Sequence, residues 1–129
     1  NGGIIVSQPP KFIFLKDTNG DDKADVRETI IDCWGIRDTH AQASNLHYGF
    51  DNWLYGSVGY SNFRGTVGGK DLQFGQGIYR FQADGSSLEF LHQYNNNTWG
   101  LGFSEEIQNG PCSALSGAAT SSRRSTATC

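Results

Sequence analysis

The stretch from Asp38 to Gly59 constrains the fold most strongly, because two short β-prone segments flank a turn within it. Leu46–Phe50 and Trp53–Val58 are predicted strands, since they are rich in aromatic and apolar residues that favour strands. The dipeptide Asp51-Asn52 between them predicts a turn, because short polar side chains hydrogen-bond to the local backbone. Asp38-Thr39-His40 lies just before the first strand. Loops held by a rigid sheet carry many binding groups, so we expect a site in this loop.

The composition predicts an all-β protein. The 129 residues suit one domain, and 17 glycines, 12% aromatic residues and few helix-periodic stretches favour strands over helices. The predicted strands are Gly3–Ser7, Lys11–Lys16, Thr29–Trp34, Leu46–Phe50, Trp53–Val58, Gly77–Gln82, Leu88–Tyr94 and Trp99–Ser104. The polar, glycine-rich stretch Ser61–Gly75 is predicted to be a long connection without strands.

The strand order predicts part of a β-propeller. Gly49-Phe50-Asp51 corresponds to Gly102-Phe103-Ser104, and the strands sort into the last three of one sheet, four of a second and the first of a third. Repeats of roughly 40 to 50 residues with four short strands are typical of propeller blades. Residues 1–108 are therefore predicted to hold about one complete four-stranded blade and parts of two neighbours. Residues 109–129 are Ser/Thr/Ala-rich without a strand signal, which leaves a disordered tail or a frame-shifted translation as alternatives.

Several classes of function are disfavoured. The net charge of −3 argues against a nucleic-acid partner, and no apolar run is long enough to predict a membrane span. Cys33, Cys112 and Cys129 form neither a CxxC pair nor a metal-binding spacing. Because the chain contains no Met and no signal peptide, we expect it to be a piece of a longer protein.

The acidic loop after the second predicted strand has the ligand spacing of an EF-hand-type calcium loop. Oxygen ligands occupy positions 1, 3, 5, 7, 9 and 12 through Asp17, Asn19, Asp21, the backbone of Lys23, Asp25 and Glu28. Position 6 favours Gly but holds Asp22, and the flanks are predicted strands rather than helices. The pattern therefore allows two interpretations of this loop: a calcium site, or a solvated acidic turn without a metal.

Three stretches carry a family resemblance. PPKFIFLKDTNGDDKADVRETI, DTHAQASNLHYGFDNWLYGSVGYSNFRG and QGIYRFQADGSSLEFLHQYNNNTWGLGFSEE resemble the N-terminal propeller of the membrane-bound dehydrogenase family, which are large secreted bacterial proteins. Their propeller is often followed by helical repeats and a c-type haem domain. More distantly, the chain resembles the soluble glucose/sorbosone dehydrogenases, which are six-bladed propellers that bind pyrroloquinoline quinone and calcium. The resemblance therefore implies a periplasmic or secreted protein.

The resemblance also implies site residues. In the distant family a His precedes a strand with the motif LxFGPDGxLY and accepts the proton of a sugar hydroxyl. His40 precedes the corresponding strand of this chain. The distant family's RNPxG motif corresponds to Asn96–Gly100, so Asn97 and Trp99 are expected at the cofactor. Asn96 stands where that family has Arg, so a charge for an anionic quinone is missing. His40 could instead only order its loop with Asp38.

Three hypotheses follow from these residues. The first is a dehydrogenase-like propeller that oxidises a sugar or alcohol and passes the electrons to a haem domain. In this hypothesis His40 is the base, and Asn97 and Trp99 line the site. The second is a non-catalytic propeller that binds a glycan or a partner protein. The third is a structural module stabilised by calcium. His47 and His92 are expected to be structural because they lie inside predicted strands.

Overall fold

The computed structural model describes residues 2–103, and this part of the chain contains nine β-strands and no helix. The strands are β1 (Ile4–Gln8), β2 (Lys11–Lys16), β3 (Val26–Ile31), β4 (Ser44–Tyr48), β5 (Leu54–Val58), β6 (Phe63–Val67), β7 (Lys70–Phe74), β8 (Gly77–Phe81) and β9 (Leu88–Gln93). All the strand pairs are antiparallel, and none of the three sheets closes on itself. The predicted all-β class is confirmed. Residues 2–103 contain no helix that could cross a membrane.

The first sheet has the order β1-β2-β3. The first two strands meet at Pro9-Pro10, and the last two flank the acidic loop, with Lys16 opposite Val26. The third strand begins earlier than predicted and ends at Ile31. It stops there because Cys33 has a φ of 75°, a left-handed conformation that interrupts extended backbone. Trp34 then forms an isolated bridge with Phe63.

The second sheet has the order β4-β5-β8-β9, which matches the four strands predicted for one blade. The prediction of a long connection over Ser61–Gly75 is wrong, because this stretch forms the β6–β7 hairpin. Gly68 and Gly69 occupy its turn with φ values of 56° and 77°. Two-residue hairpin turns of type I′ need positive φ at both positions, and glycine adopts it without steric strain.

The main core lies where the two larger sheets and the hairpin meet. Trp34 is 2% exposed, and its ring centroid lies 4.9 Å from Phe12 of β2, 4.9 Å from Phe63 of β6 and 4.6 Å from Tyr79 of β8. Aromatic rings at such distances bury large apolar areas in favourable tilted and edge geometries. Trp34 therefore joins all three sheets in one apolar cluster.

A smaller core covers the opposite face of the second sheet. Tyr55 and Ile78 pack there beneath Leu101, and the ring of Phe103 lies 5.1 Å from that of Tyr55. The predicted strand Trp99–Ser104 is not found over residues 99–103, and Ser104 lies outside the described residues. These residues pack against the face of the sheet rather than beside an edge strand. The proposed boundary at residue 108 and the tail 109–129 also lie outside the described part.

Candidate functional site

One end of the second sheet gathers three loops. Because adjacent strands are antiparallel, β4 begins, β5 ends, β8 begins and β9 ends at this same end of the sheet. Asp38–Ala43 precedes β4, Gly59–Ser61 follows β5, and Asn96–Trp99 follows β9. We call these three loops the loop face. The chain topology thus brings together the segments that hold His40, Asn97 and Trp99.

Asp38 and Ala41 join the first two loops through backbone hydrogen bonds. The Asp38 carboxylate accepts the backbone N–H of His40 at 3.0 Å, and the Asp38 carbonyl accepts that of Ala41 at 3.2 Å. The Ala41 carbonyl then accepts the N–H groups of Gly59 at 3.1 Å and Ser61 at 3.2 Å. Ser61 also donates its hydroxyl to the Asp38 carbonyl at 3.3 Å. The loop of His40 is therefore fixed to the end of β5.

His40 projects from this fixed loop into solvent. Its side chain is 90% exposed, and its Nδ1 lies 3.8 Å from the Asp38 carboxylate and 3.5 Å from the Thr39 hydroxyl. An accessible imidazole that a neighbouring carboxylate orients has the arrangement of a general base. Asp38 also orders the loop through the backbone of His40. The geometry is thus compatible with both roles predicted for His40.

The third loop contacts the second through Tyr60 and Gly59. Tyr60 donates its hydroxyl to Asn96 Oδ1 at 2.7 Å, and the same oxygen accepts the Asn97 N–H at 2.8 Å. The side chain of Asn97 lies against the backbone of Gly59, where an added Cβ would collide with Asn97 Oδ1 and with Ala41. Asn97 therefore lies beside the loop that carries His40.

Trp99 and Tyr60 present their rings to solvent on the loop face. Trp99 is 71% exposed and Tyr60 is 56% exposed. Tyr and Trp are enriched at binding interfaces, because each combines a large apolar ring with a polar group that can form a hydrogen bond. Tyr60 and Ser61 were not among the predicted site residues. Their signal in the sequence was their position directly after a predicted strand and its glycine.

Three buried polar atoms beneath the loop face have no hydrogen-bond partner among the described residues. They are Ser57 Oγ, Asn97 Oδ1 and Thr98 Oγ1. Ser57 lies in β5, and the other two lie in the third loop. An unpaired buried polar group is destabilising by about 1–3 kcal/mol. Such groups favour an ordered water or a ligand hydroxyl that supplies the missing hydrogen bond.

The acidic loop between β2 and β3 is organised by its own side chains. The Asp17 carboxylate accepts the backbone N–H groups of Asn19, Gly20 and Asp22 at 3.0, 2.7 and 2.9 Å. These bonds, that of Gly20 foremost, lower the pKa of Asp17 despite some desolvation. Asp22 takes a φ of 62° at the position where the calcium-loop pattern has Gly. Asp22 thus makes the backbone turn expected of that glycine.

The side chains of the other predicted calcium ligands have different surroundings: Asn19, Asp21 and Asp25 bond within the acidic loop, whereas Glu28 lies in a strand. Asn19 and Asp21 each accept a backbone N–H two residues later, that of Asp21 and of Lys23 respectively. Asp25 accepts the backbone N–H and the hydroxyl of Thr18 at 2.9 and 2.7 Å, and these two bonds lower its pKa. Glu28 instead lies within β3, opposite Phe14, and lines a cavity between the two larger sheets.

The donor types on the acidic loop suit a hard cation, which prefers several oxygens on one tight loop. Among residues 2–103, however, no group of three His, Cys, Asp or Glu side chains is close enough to hold a metal ion. The loop thus provides the oxygens and the backbone turn, but the predicted closing ligand, Glu28, faces the inter-sheet cavity.

The other two histidines lie in strands, as predicted. His47 is in β4, with Nε2 3.0 Å from Asn45 Oδ1 and its ring 6.3 Å from that of Phe103. His92 is in β9, with its ring 4.9 Å from that of Tyr94. Each ring therefore has a packing partner outside the loop face.

Comparison with known proteins identifies a family. The family model described as "Domain of unknown function (DUF7133)" matches residues 1–121. Neither a curated protein nor a solved structure matches the chain significantly.

Proposed function

The chain belongs to the protein family described as a domain of unknown function, DUF7133, and we propose that it is part of a β-propeller whose loop face binds a carbohydrate. Two features support the propeller. Consecutive antiparallel sheets of three and four strands follow one another along the chain. The four-stranded sheet is also covered on both faces, by the main core on one side and by Leu101 and Phe103 on the other. A blade needs this two-sided cover from its neighbours.

The observation that carries the carbohydrate proposal is the pair of exposed rings beside amide side chains. Trp99 and Tyr60 offer flat apolar surfaces, and Asn96 and Asn97 offer amide groups in the same loop. A sugar ring has an apolar face and a rim of hydroxyl groups. Apolar surface with a few placed polar groups is the composition of small-molecule sites in general. We therefore assign the rings to stacking and the amides to hydroxyl recognition.

The experiment is a titration of the protein with a panel of neutral oligosaccharides, followed by calorimetry and by tryptophan fluorescence. We expect saturable binding that Trp99→Ala weakens at least about tenfold, as loss of an aromatic anchor does. Phe50→Ala is the matched control, because Phe50 is 84% exposed but lies in the β4–β5 turn at the other end of the sheet. Equal losses for both variants, or no saturable binding by the folded protein, would overturn the proposal.

A second candidate function is oxidation of the bound sugar or alcohol, and it is favoured by the exposed imidazole of His40 beside Asp38. His40 would accept the hydroxyl proton, and Asp38 would stabilise the resulting imidazolium. Pyrroloquinoline quinone would supply the hydride acceptor, with Asn97 and Trp99 as the residues to hold it. Asn96 supplies no cation for such an anionic group, which favours binding without turnover.

The oxidation candidate is tested by dye reduction with added quinone, calcium and a panel of sugars and alcohols. Turnover that disappears in His40→Ala would support it. Sugar binding without turnover would leave the carbohydrate-binding function alone. The c-type haem domain as electron acceptor and the periplasmic or secreted location belong to this second candidate, and both derive from the family resemblance.

A further inference from the structure

A cavity of about 630 Å³ opens between the first and second sheets. It lies at the end of the second sheet opposite the loop face, because Leu54 at the start of β5 and Asp84 after the end of β8 both line it. The apolar side chains of Ile5, Phe14, Leu46 and Leu54 form its wall. Ile5, Leu46 and Leu54 are only partly buried, although they pack against the main core. All three line the cavity.

Two carboxylates also line this cavity, Glu28 from β3 and Asp84 from the β8–β9 turn. Neither forms an ion pair with any of residues 2–103. Asp84 accepts the backbone N–H of Ser86 at 2.9 Å, and hydrogen bonds from Ser86 lower the pKa of Asp84. Asp84 is therefore negatively charged at neutral pH. The cavity combines an apolar wall with carboxylates contributed by both sheets.

We propose that this cavity binds a small organic ammonium ion whose apolar body packs on Ile5, Phe14, Leu46 and Leu54 and whose cationic head lies between Glu28 and Asp84. The volume lies within the range of about 300–1,000 Å³ that is usual for small-molecule sites. Charge complementarity selects the occupant, because two unpaired carboxylates disfavour an anion and attract a cation. The ring of Tyr48 also lines the cavity and is 63% exposed, so it can face the ammonium group. This site is independent of carbohydrate binding at the loop face.

The test uses three probes with the same aromatic body and different charge: 2-phenylethylammonium, 2-phenylethanol and 3-phenylpropanoate. Each is titrated into the isotope-labelled protein at low salt with a chelator present, and methyl resonances are followed by NMR. We expect the ammonium ion to shift the methyl signals of Ile5, Leu46 and Leu54 saturably. The alcohol should bind about fivefold more weakly, and the carboxylate more weakly still.

Charge-neutral variants then locate the head group. Glu28→Gln and Asp84→Asn should each weaken ammonium binding by up to about fivefold and leave alcohol binding unchanged. Asp71→Asn is the matched control, because Asp71 lies in the β6–β7 hairpin and Asn can still accept the Thr66 hydroxyl. If either variant fails to fold, salt provides a second measurement on the wild type. High salt should weaken binding of the ammonium ion but not of the alcohol, since it screens charge.

Equal affinity for all three probes would overturn the proposal, as would shifts confined to residues outside the cavity. Loss of ammonium binding in Asp71→Asn equal to that in Glu28→Gln would also overturn it. Loss of sugar binding in Trp99→Ala with ammonium binding intact would separate this site from the loop face.

Discussion

Tyr60 donates a hydrogen bond from its hydroxyl to Asn96 Oδ1 at 2.7 Å, although the two residues lie 36 positions apart in the chain. This bond joins the loop after β5 to the loop after β9. Tyr60 and Trp99, whose rings are exposed, belong to the two loops that this bond connects.

Removing the Tyr60 hydroxyl should loosen the third loop and weaken sugar binding. Tyr60→Phe keeps the ring but leaves Asn96 Oδ1 without its side-chain donor, so we expect oligosaccharide affinity to fall about three- to tenfold. The unfolding free energy should fall by about 1 kcal/mol or less, because both groups are exposed. Tyr48→Phe is the control, since Tyr48 makes a similar bond to Asn52 at the other end of the sheet. Equal losses of sugar affinity would contradict this role of Tyr60.

Gly59 should tolerate no side chain. In Gly59→Ala the new Cβ would collide with Asn97 Oδ1 and lie 2.8 Å from the Ala41 Cβ. We expect the loop of Asn97 to move away, with a loss of stability of about 1–3 kcal/mol from the overpacked position. Gly75→Ala is the control, because nothing lies within 4 Å of a Cβ added there. Urea unfolding measures the loss, and equal stability of the two variants would contradict the packing of Asn97 against Gly59.

Acid should destabilise the fold partly through Asp51. Desolvation alone would raise the pKa of Asp51, but hydrogen bonds from the Tyr55 hydroxyl and the Trp53 backbone, with the charge of Arg80, lower it below 3.8. A lowered pKa means that the carboxylate stabilises the folded state above about pH 4 and that this contribution is lost as the pH falls through the lowered pKa.

The variant Asp51→Asn tests this contribution. We expect it to be less stable than the wild type at about pH 7, and we expect this difference to shrink below about pH 4 as the pH falls through the lowered pKa of Asp51. The difference should be about 1 kcal/mol or less, because Asp51 is 43% exposed and solvent screens its charge. Urea unfolding across this range measures it. A difference that does not change with pH would contradict the assignment.

The acidic loop should bind calcium if its oxygens converge on a cation. We expect millimolar calcium to raise the melting temperature of the wild type and to have a smaller effect on Asp17→Asn, which removes a charged ligand. Asp71→Asn again serves as the control, because Asp71 lies in another sheet. Equal shifts of the melting temperature in all three proteins would mean that calcium binds elsewhere. No shift in the wild type would mean that the loop is a solvated acidic turn.

The sequence predicted strands well where short runs of apolar, aromatic and β-branched residues end next to a clear turn. Lys11–Lys16 was predicted with its observed bounds, and the four strands of the second sheet were found to within a few residues. The β4–β5 turn is longer than predicted because Gly49 donates its N–H to Trp53, which keeps Phe50 out of the strand. A hydrogen bond between backbone groups does not depend on the side chains, so the amino-acid composition of the turn does not predict it.

Other features depend on tertiary contacts that a single sequence does not reveal. The β6–β7 hairpin was missed because its strands carry Gly, Arg, Thr and Gln, and because Phe63 and Phe74 pack on Trp34, which is distant from them in the chain. The proximity of the loops of His40 and Asn97 follows from strand order rather than from spacing in the chain. Tyr60 was overlooked for the same reason, since its partner Asn96 comes from a distant loop.

The β6–β7 hairpin also lies between the two central strands of the second sheet along the chain. β5 and β8 pair as neighbours from Leu54↔Phe81 to Val58↔Gly77, yet the whole hairpin separates them in the chain. Once the hairpin has formed, the ends of β5 and β8 lie closer together, which lowers the entropy that is lost when they pair. We therefore expect that a segment adding no strand to the four-stranded sheet assists its central pairing.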